Sequence, residues 1–221
     1  MRRLMMRRIL EIVAIGLVLP AVVPRDALAQ QFTGRSFGAI IHVGSIDTTV
    51  CDSGELPSSG GSLETILQDV RVGLVLTAGA MRAETHSTSV AAISHAYTVN
   101  LSVLPGTPAA LTADAVPATV FVLCDGTAAE LAFMNLVFGG MPVQVTGFNQ
   151  TVVLPGVATL IINERINSTT PDGSEVTTTG LHLTLADGGE ILVSRAHAAI
   201  RDCATVTVQP TSWSRLKALY D

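Results

Sequence analysis

The sequence predicts an all-β protein: an antiparallel β-sandwich of about ten strands, with a cleaved N-terminal signal helix and a short C-terminal helix. Three observations carry that expectation. Period-2 patterns and short apolar runs recur from Phe37 to Val208, separated by turn-forming clusters. Ala, Val, Leu, Thr, Ser and Gly dominate and charged residues are only 14% of the chain, which suits packed strands better than a Glu/Lys/Leu-rich helical bundle. The connections are of hairpin length and no Pro/Ser-rich linker interrupts them, so residues 30–208 read as one sandwich domain between a leader (1–29) and a tail (209–221).

The leader has the composition of an export signal. Arg2, Arg3, Arg7 and Arg8 precede an apolar run from Ile9 to Val23, broken only by Glu11, Gly16 and Pro20, and Ala27-Leu28-Ala29 is a small-x-small cleavage site. Cleavage between Ala29 and Gln30 places the mature chain outside the cytoplasmic membrane. The apolar run is shorter than the ~20 residues of a membrane span, and no later stretch qualifies, so the mature chain is expected to have no stable span.

Within the domain the first strand is Ser36 to Ile46, followed by a polar loop, Asp47 to Gly61. Ser62 to Gln68 reads as a short helix capped by Ser62. Val70 to Ala78 is a strand, and Met81 to Val103 a long strand with a bend or bulge. Leu111 to Cys124 is a nearly continuous apolar run, as in a strand covered on both faces, and Asp125-Gly126 turns the chain. Leu131 to Phe138 and Met141 to Thr146 flank Gly139-Gly140, a hairpin signal. Thr151 to Leu154 and Val157 to Ile166 surround Pro155-Gly156, and Asn167 to Thr178 reads as an exposed polar loop. Gly180 to Leu185 and Glu190 to Ile200 are joined through Ala186 to Gly189, and Thr205 to Val208 is the last strand. After Pro210 a short helix carries Trp213, Leu216 and Tyr220 on one face, as a packing or docking element.

Charge excludes one class of partner. The chain has 13 basic and 18 acidic residues; the leader takes five arginines, Glu11 and Asp26, leaving 8 and 16 and a net −8. No Lys/Arg cluster survives, so a nucleic-acid interface is not expected. Three cysteines remain, Cys51, Cys124 and Cys203. In an oxidising compartment two pair and one is left over, with three pairings formally open. Cys124 and Cys203 each close a strand-like run and so can meet at one end of a sandwich; Cys51, in its polar loop, is a free thiol or a link to another chain.

Several phrases, in order, resemble the choice-of-anchor P family of exported bacterial proteins. They are Thr33-Gly34-Arg35-Ser36-Phe37-Gly38-Ala39, Asp52-Ser53-Gly54-Glu55-Leu56-Pro57, Leu111 to Val116, Cys124-Asp125-Gly126 and Phe138-Gly139-Gly140. Gly147 to Thr151, Asn163-Glu164, Leu181 to Leu185 and Ser194 to Ala198 complete the set, which spans most of the mature chain. The resemblance implies a β-rich surface or extracellular module with no assigned activity, and it supports pairing Cys124 with Cys203. The chain departs from the family's pattern by lacking a hydrophobic C-terminal helix followed by basic residues, and Cys51 is extra.

Catalytic signals are absent from the sequence. His42, His86, His95, His182 and His197 have no H-E-x-x-H or H-x-H context; His182 with His197 is the best pair if neighbouring strands bring them together. There is no G-x-S-x-G elbow, P-loop or dinucleotide fingerprint, so no enzyme and no cofactor are expected. Asp47, Asp52 and Glu55, Asp172 and Glu175, and Asp187 and Glu190 form oxygen-rich loops without the repeated calcium-loop spacing, and no metal site is assigned to them. Asn100, Asn149 and Asn167 begin glycosylation-type triplets. The expected function is an exported non-enzymatic structural or interaction protein that binds copies of itself, through Phe32 to Ile46, or surface polymers. The alternative is an extracellular carbohydrate-binding module, calcium-assisted or not, using Tyr97, Trp213 or exposed acids.

Overall fold

Alternating sequences bury one face of each strand, and two such faces cover each other in a sandwich. The computed structural model describes residues 30–130 and 135–203 of the chain. It contains β1 (Gln31–Val43), β2 (Ile46–Asp52), β3 (Ser62–Val72), β4 (Leu76–Ser87), β5 (Ala91–Val103), β6 (Leu111–Leu123) and β7 (Gly126–Glu130). There follow β8 (Val137–Phe138), β9 (Met141–Pro142), β10 (Gln150–Leu154), β11 (Ala158–Thr170), β12 (Gly173–Leu185) and β13 (Glu190–Arg201). One sheet has six strands in the order β10-β11-β12-β13-β1-β2; the other has seven, β3-β4-β5-β6-β8-β9, with β7 also on β6. Every pairing is antiparallel. No helix occurs among the described residues. The leader, the Ala29 side of the cleavage junction, the strand expected at Thr205 to Val208 and the C-terminal helix lie outside them.

Several boundaries differ from the expectation. Ser62 to Gln68 is the start of β3, not a helix: Leu63 and Thr65 are half-buried between exposed Ser62, Glu64 and Ile66, and the segment pairs with β4 from Ser62↔His86 onward. The Val70 to Ala78 run breaks at Gly73 to Val75, which turn β3 into β4. Met81 to Val103 is a hairpin, because Thr88 Oγ1 accepts from Ala91 N at 3.0 Å and Thr88 N donates to Ala91 O at 2.8 Å, reversing the chain. Asn167 to Thr178 is the end of β11 and the start of β12 around Pro171-Asp172, its threonines suiting an extended chain. The supposed loop from Asp47 is strand as far as Asp52. Gly139 and Gly140 turn β8 into β9 with φ of 58° and 77°, values that glycine adopts without steric cost.

A row of left-handed residues crosses each sheet. Phe37 pairs Asp52 and Ala39 pairs Val50, which sets Gly38 opposite Cys51. The registers continue the row to Ser194, Gly180 and Asn163. In the other sheet Asp69, Gly79, Asn100 and Asp114 line up in the same way. Cys51, Ser194 and Asn163, and likewise Asp69 and Asn100, have φ between 49° and 55°, so the left-handed residues fall on alternate strands. The in–out alternation changes phase at each row. On β5 the inward residues run Ala92, Ser94, Ala96, Thr98 before it and Leu101, Val103 after it.

The rows divide the core by size. One part is bulky and apolar, including Ile41, Leu76, Met81, Leu111, Phe138, Leu160, Ile162, Leu183 and Ile191. The other is lined by Ala92, Ala96, Ala118, Ala196 and Ala198 around Phe32, Val122, Val176 and Ile200. Small side chains here let serines of one sheet reach the opposite backbone. Ser36 Oγ donates to Glu84 O at 2.9 Å, Ser94 Oγ donates to His197 O at 2.7 Å, and Ser194 Oγ lies 2.7 Å from Val116 O. A Cβ on Gly180 would stand 2.6 Å from Val116 Cγ1 and 3.2 Å from Pro117 O, so close approach requires glycine there. The Cys124–Cys203 disulfide closes this end and joins the chain after β6 to the chain after β13, across the two sheets.

Candidate functional site

Each outward sheet face is a grid whose columns are strands and whose rows are set by register. On the seven-stranded sheet one row reads Ile66, Arg82, Tyr97, Pro117, and the next reads Glu64, Glu84, His95, Thr119, Glu130. A third brings His86 beside Ile93 and Phe121. Opposed Glu64 and Glu84 repel as a cross-strand pair. Arg82 resolves this by bridging them, with Nε 2.6 Å from Glu64 Oε1 and Nη2 2.7 Å from Glu84 Oε2. His95 Nδ1 lies 3.1 Å from Thr119 Oγ1, and its ring packs edge-on against Phe121 and stacks on His86 at centroid separations of 5.8 and 5.9 Å. Burial pushes the His95 imidazole below its ordinary value, against the opposing pull of Glu84. Arg82, Glu84, His95, Ala96, Tyr97, Pro117 and Thr119 line a depression of about 260 Å³, and Tyr97 is 42% exposed.

The six-stranded sheet separates the two histidines expected to meet. His182 pairs with Leu192 while His197 pairs with Thr177, five residues apart along β12 and so about 16 Å apart at ~3.3 Å per residue. His182 is held between carboxylates, Nδ1 2.9 Å from Glu164 Oε2 and Nε2 2.8 Å from Glu190 Oε1. With both ring nitrogens engaged it has none free to activate Thr184, whose Oγ1 is 3.5 Å from Nε2. His197 Nδ1 lies 3.0 Å from Thr177 Oγ1, and burial lowers its imidazole below the ordinary value. His42 pairs at the surface with Asp47, 3.0 Å away.

In two of the acidic loops the carboxylates are engaged locally. Asp52 accepts from Arg35 Nε and Nη2 at 3.0 and 2.6 Å and from Gly54 N at 2.9 Å, and the guanidinium holds this carboxyl below the usual carboxylate range. Asp187 Oδ1 caps Gly189 N at 3.0 Å. No set of three metal-ligating side chains converges among the described residues. Of the triplet asparagines, Asn100 sits in the left-handed row and Asn149 Oδ1 accepts from Arg165 N at 2.8 Å. Cys51 is not in a loop but on β2, 4% exposed, with Sγ 3.3 Å from Thr65 O; it is a free thiol whose pKa burial raises. No family model, curated protein or solved structure matches the chain.

Sequence reasoning names Tyr97 and His95 but not their neighbours: Arg82 and Glu84 are lost where the β4–β5 hairpin reads as a single strand, and Glu64 where the start of β3 reads as a helix. The signal available was Thr88-Ser89, a turn-forming pair about a third of the way along the run. The segment proposed for self-association, Phe32 to Ile46, also needs correction. Its main part is β1, which pairs β13 on one side and β2 on the other, so it offers no open edge. Among the described residues the long edge is β3.

Proposed function

We propose that the protein is an exported, non-enzymatic surface or extracellular structural component that self-associates by strand pairing. The observation that carries this reading is β3: eleven residues long, paired only with β4 among the described residues, with Ile66 55% and Leu67 38% exposed. An unpaired edge with apolar side chains is a template for another strand. Near Thr65 the edge is partly covered, since Thr65 O takes the Cys51 thiol and Thr65 Oγ1 donates to Asp52 O at 2.8 Å. Beyond Thr65 the edge runs from Ile66 to Val72, with Cys51 also facing the Leu67 amide. A bridge between the sheets and hydroxyl ties within the core suit a rigid building block used outside the cell, in keeping with the leader and with the family resemblance.

Sedimentation velocity of the purified mature chain over a concentration series tests this. Assembly above the monomer is expected, and Ile66→Lys should abolish it with no change in the thermal unfolding midpoint, since this outward side chain contributes little to the core. A wild-type chain that stays monomeric throughout, or assembly untouched by Ile66→Lys, would overturn the reading.

A further inference from the structure

Independently of the β3 edge, we propose that the depression around Tyr97 on the outward face of the seven-stranded sheet binds an uncharged polysaccharide chain. Four features of the site lead there. First, Tyr97 is 42% exposed in the middle of the face, in register between Arg82 and Pro117. A half-exposed aromatic ring offers an apolar body for the C–H face of a sugar together with a hydroxyl for hydrogen bonding.

Second, the polar groups beside it are ordered before any ligand arrives. Arg82 is clamped by Glu64 and Glu84, and His95 is oriented by Thr119. Groups already held in place lose little freedom on binding. Arg82 has five N–H donors and each carboxylate can accept several hydrogen bonds, so donors and acceptors remain side by side after the ion pairs form. Adjacent hydroxyls, each able to donate and accept, match that arrangement.

Third, the local charge selects against anions. Arg82 is the cation of the two central rows, which also carry Glu64, Glu84 and Glu130, and its charge is already shared between two carboxylates. A phosphate or uronic acid would approach an acidic surface without a free cation, on a mature chain of net charge −8. Fourth, the depression of about 260 Å³ is smaller than the ~300–1,000 Å³ cavities that enclose small ligands. It can grip one or two rings of a chain laid across the sheet but cannot surround a free metabolite, so the ligand is polymeric.

The test is calorimetric titration at neutral pH with hexasaccharides of glucose, mannose, xylose, galactose and N-acetylglucosamine, and with hexagalacturonate as the charged comparator. At least one neutral oligomer should bind, Tyr97→Ala should weaken that binding at least tenfold, and Tyr97→Phe should retain most of it by keeping the ring. Hexagalacturonate should give no heat. No binding by any neutral oligomer, equal binding by Tyr97→Ala, or a preference for hexagalacturonate would each overturn the proposal. Tyr97→Ala, on the interior strand β5, should leave assembly in the sedimentation series unchanged, so failure of the site and failure of edge pairing are read separately.

Discussion

His95 shows how one side chain on a sheet face acquires a pH response. Thr119, Phe121 and the stacked His86 desolvate its ring, and desolvation outweighs the attraction of Glu84 and Glu130, with Arg82 and His86 adding repulsion. The folded imidazole is therefore harder to protonate than the unfolded one, whose ordinary value is 6.5. As pH falls below that value the unfolded chain takes up a proton that the fold resists, so stability drops through the window down to the lowered folded value. The loss is at most about 1.4 kcal/mol per unit of pH crossed, for each such histidine. His197 adds to the effect in the same direction, its ring also lowered chiefly by burial. His95→Gln should flatten, and not abolish, the fall in urea midpoint between pH 6.5 and 5. A variant as acid-sensitive as wild type would show that His95 is solvated in the folded protein.

At the scale of the strand, the left-handed rows convert a local backbone cost into a division of the core. A non-glycine residue with positive φ costs about 1–2 kcal/mol, less for asparagine and aspartate, whose short side chains bond locally. Ser194 offsets its strain with two buried contacts, 2.7 Å to Val116 O and 2.9 Å to Thr98 Oγ1. Asn100 is exposed, so backbone conformation governs substitution there. Asn100→Gly should be tolerated, while Asn100→Val, β-branched and intolerant of positive φ, should lower unfolding stability by about 1–3 kcal/mol in urea titration. Equal stability of the two would mean the row carries no strain. The period-2 runs made most strands legible in the sequence, and strands closing at Cys124 and near Cys203 made that pair one of three open pairings, the one the structure forms. The rows were hidden because a phase change looks like a broken pattern: Ala115 and Val116 are both buried, though adjacent. The same breakdown turned a hairpin into one strand and an edge strand into a helix. Face composition was beyond reach for a related reason, since the grid around Tyr97 depends on four strands in register at once.

In the molecule as a whole, one covalent link and a set of short-range contacts hold the two sheets together. The small-residue end has little apolar volume to contribute, because alanines and serines dominate it, and burial of a methyl yields far less than burial of a leucine. The disulfide lies at this weaker end, closing 79 residues of sequence separation. In the chain-entropy model a loop of that length stabilises by about 4 kcal/mol, mainly by restricting the unfolded chain. That origin predicts two linked changes in the Cys124→Ser/Cys203→Ser double variant, which also prevents exchange with the buried Cys51 thiol. The urea midpoint should fall, and the dependence of unfolding free energy on urea should steepen, because an unlinked unfolded chain exposes more surface. A lower midpoint with unchanged steepness would move the effect into the folded state, as loss of packing between Cys124, Cys203 and the alanine-lined core. An unchanged midpoint would mean that the serine hydroxyls and the bulky half of the core suffice to hold the sheets together.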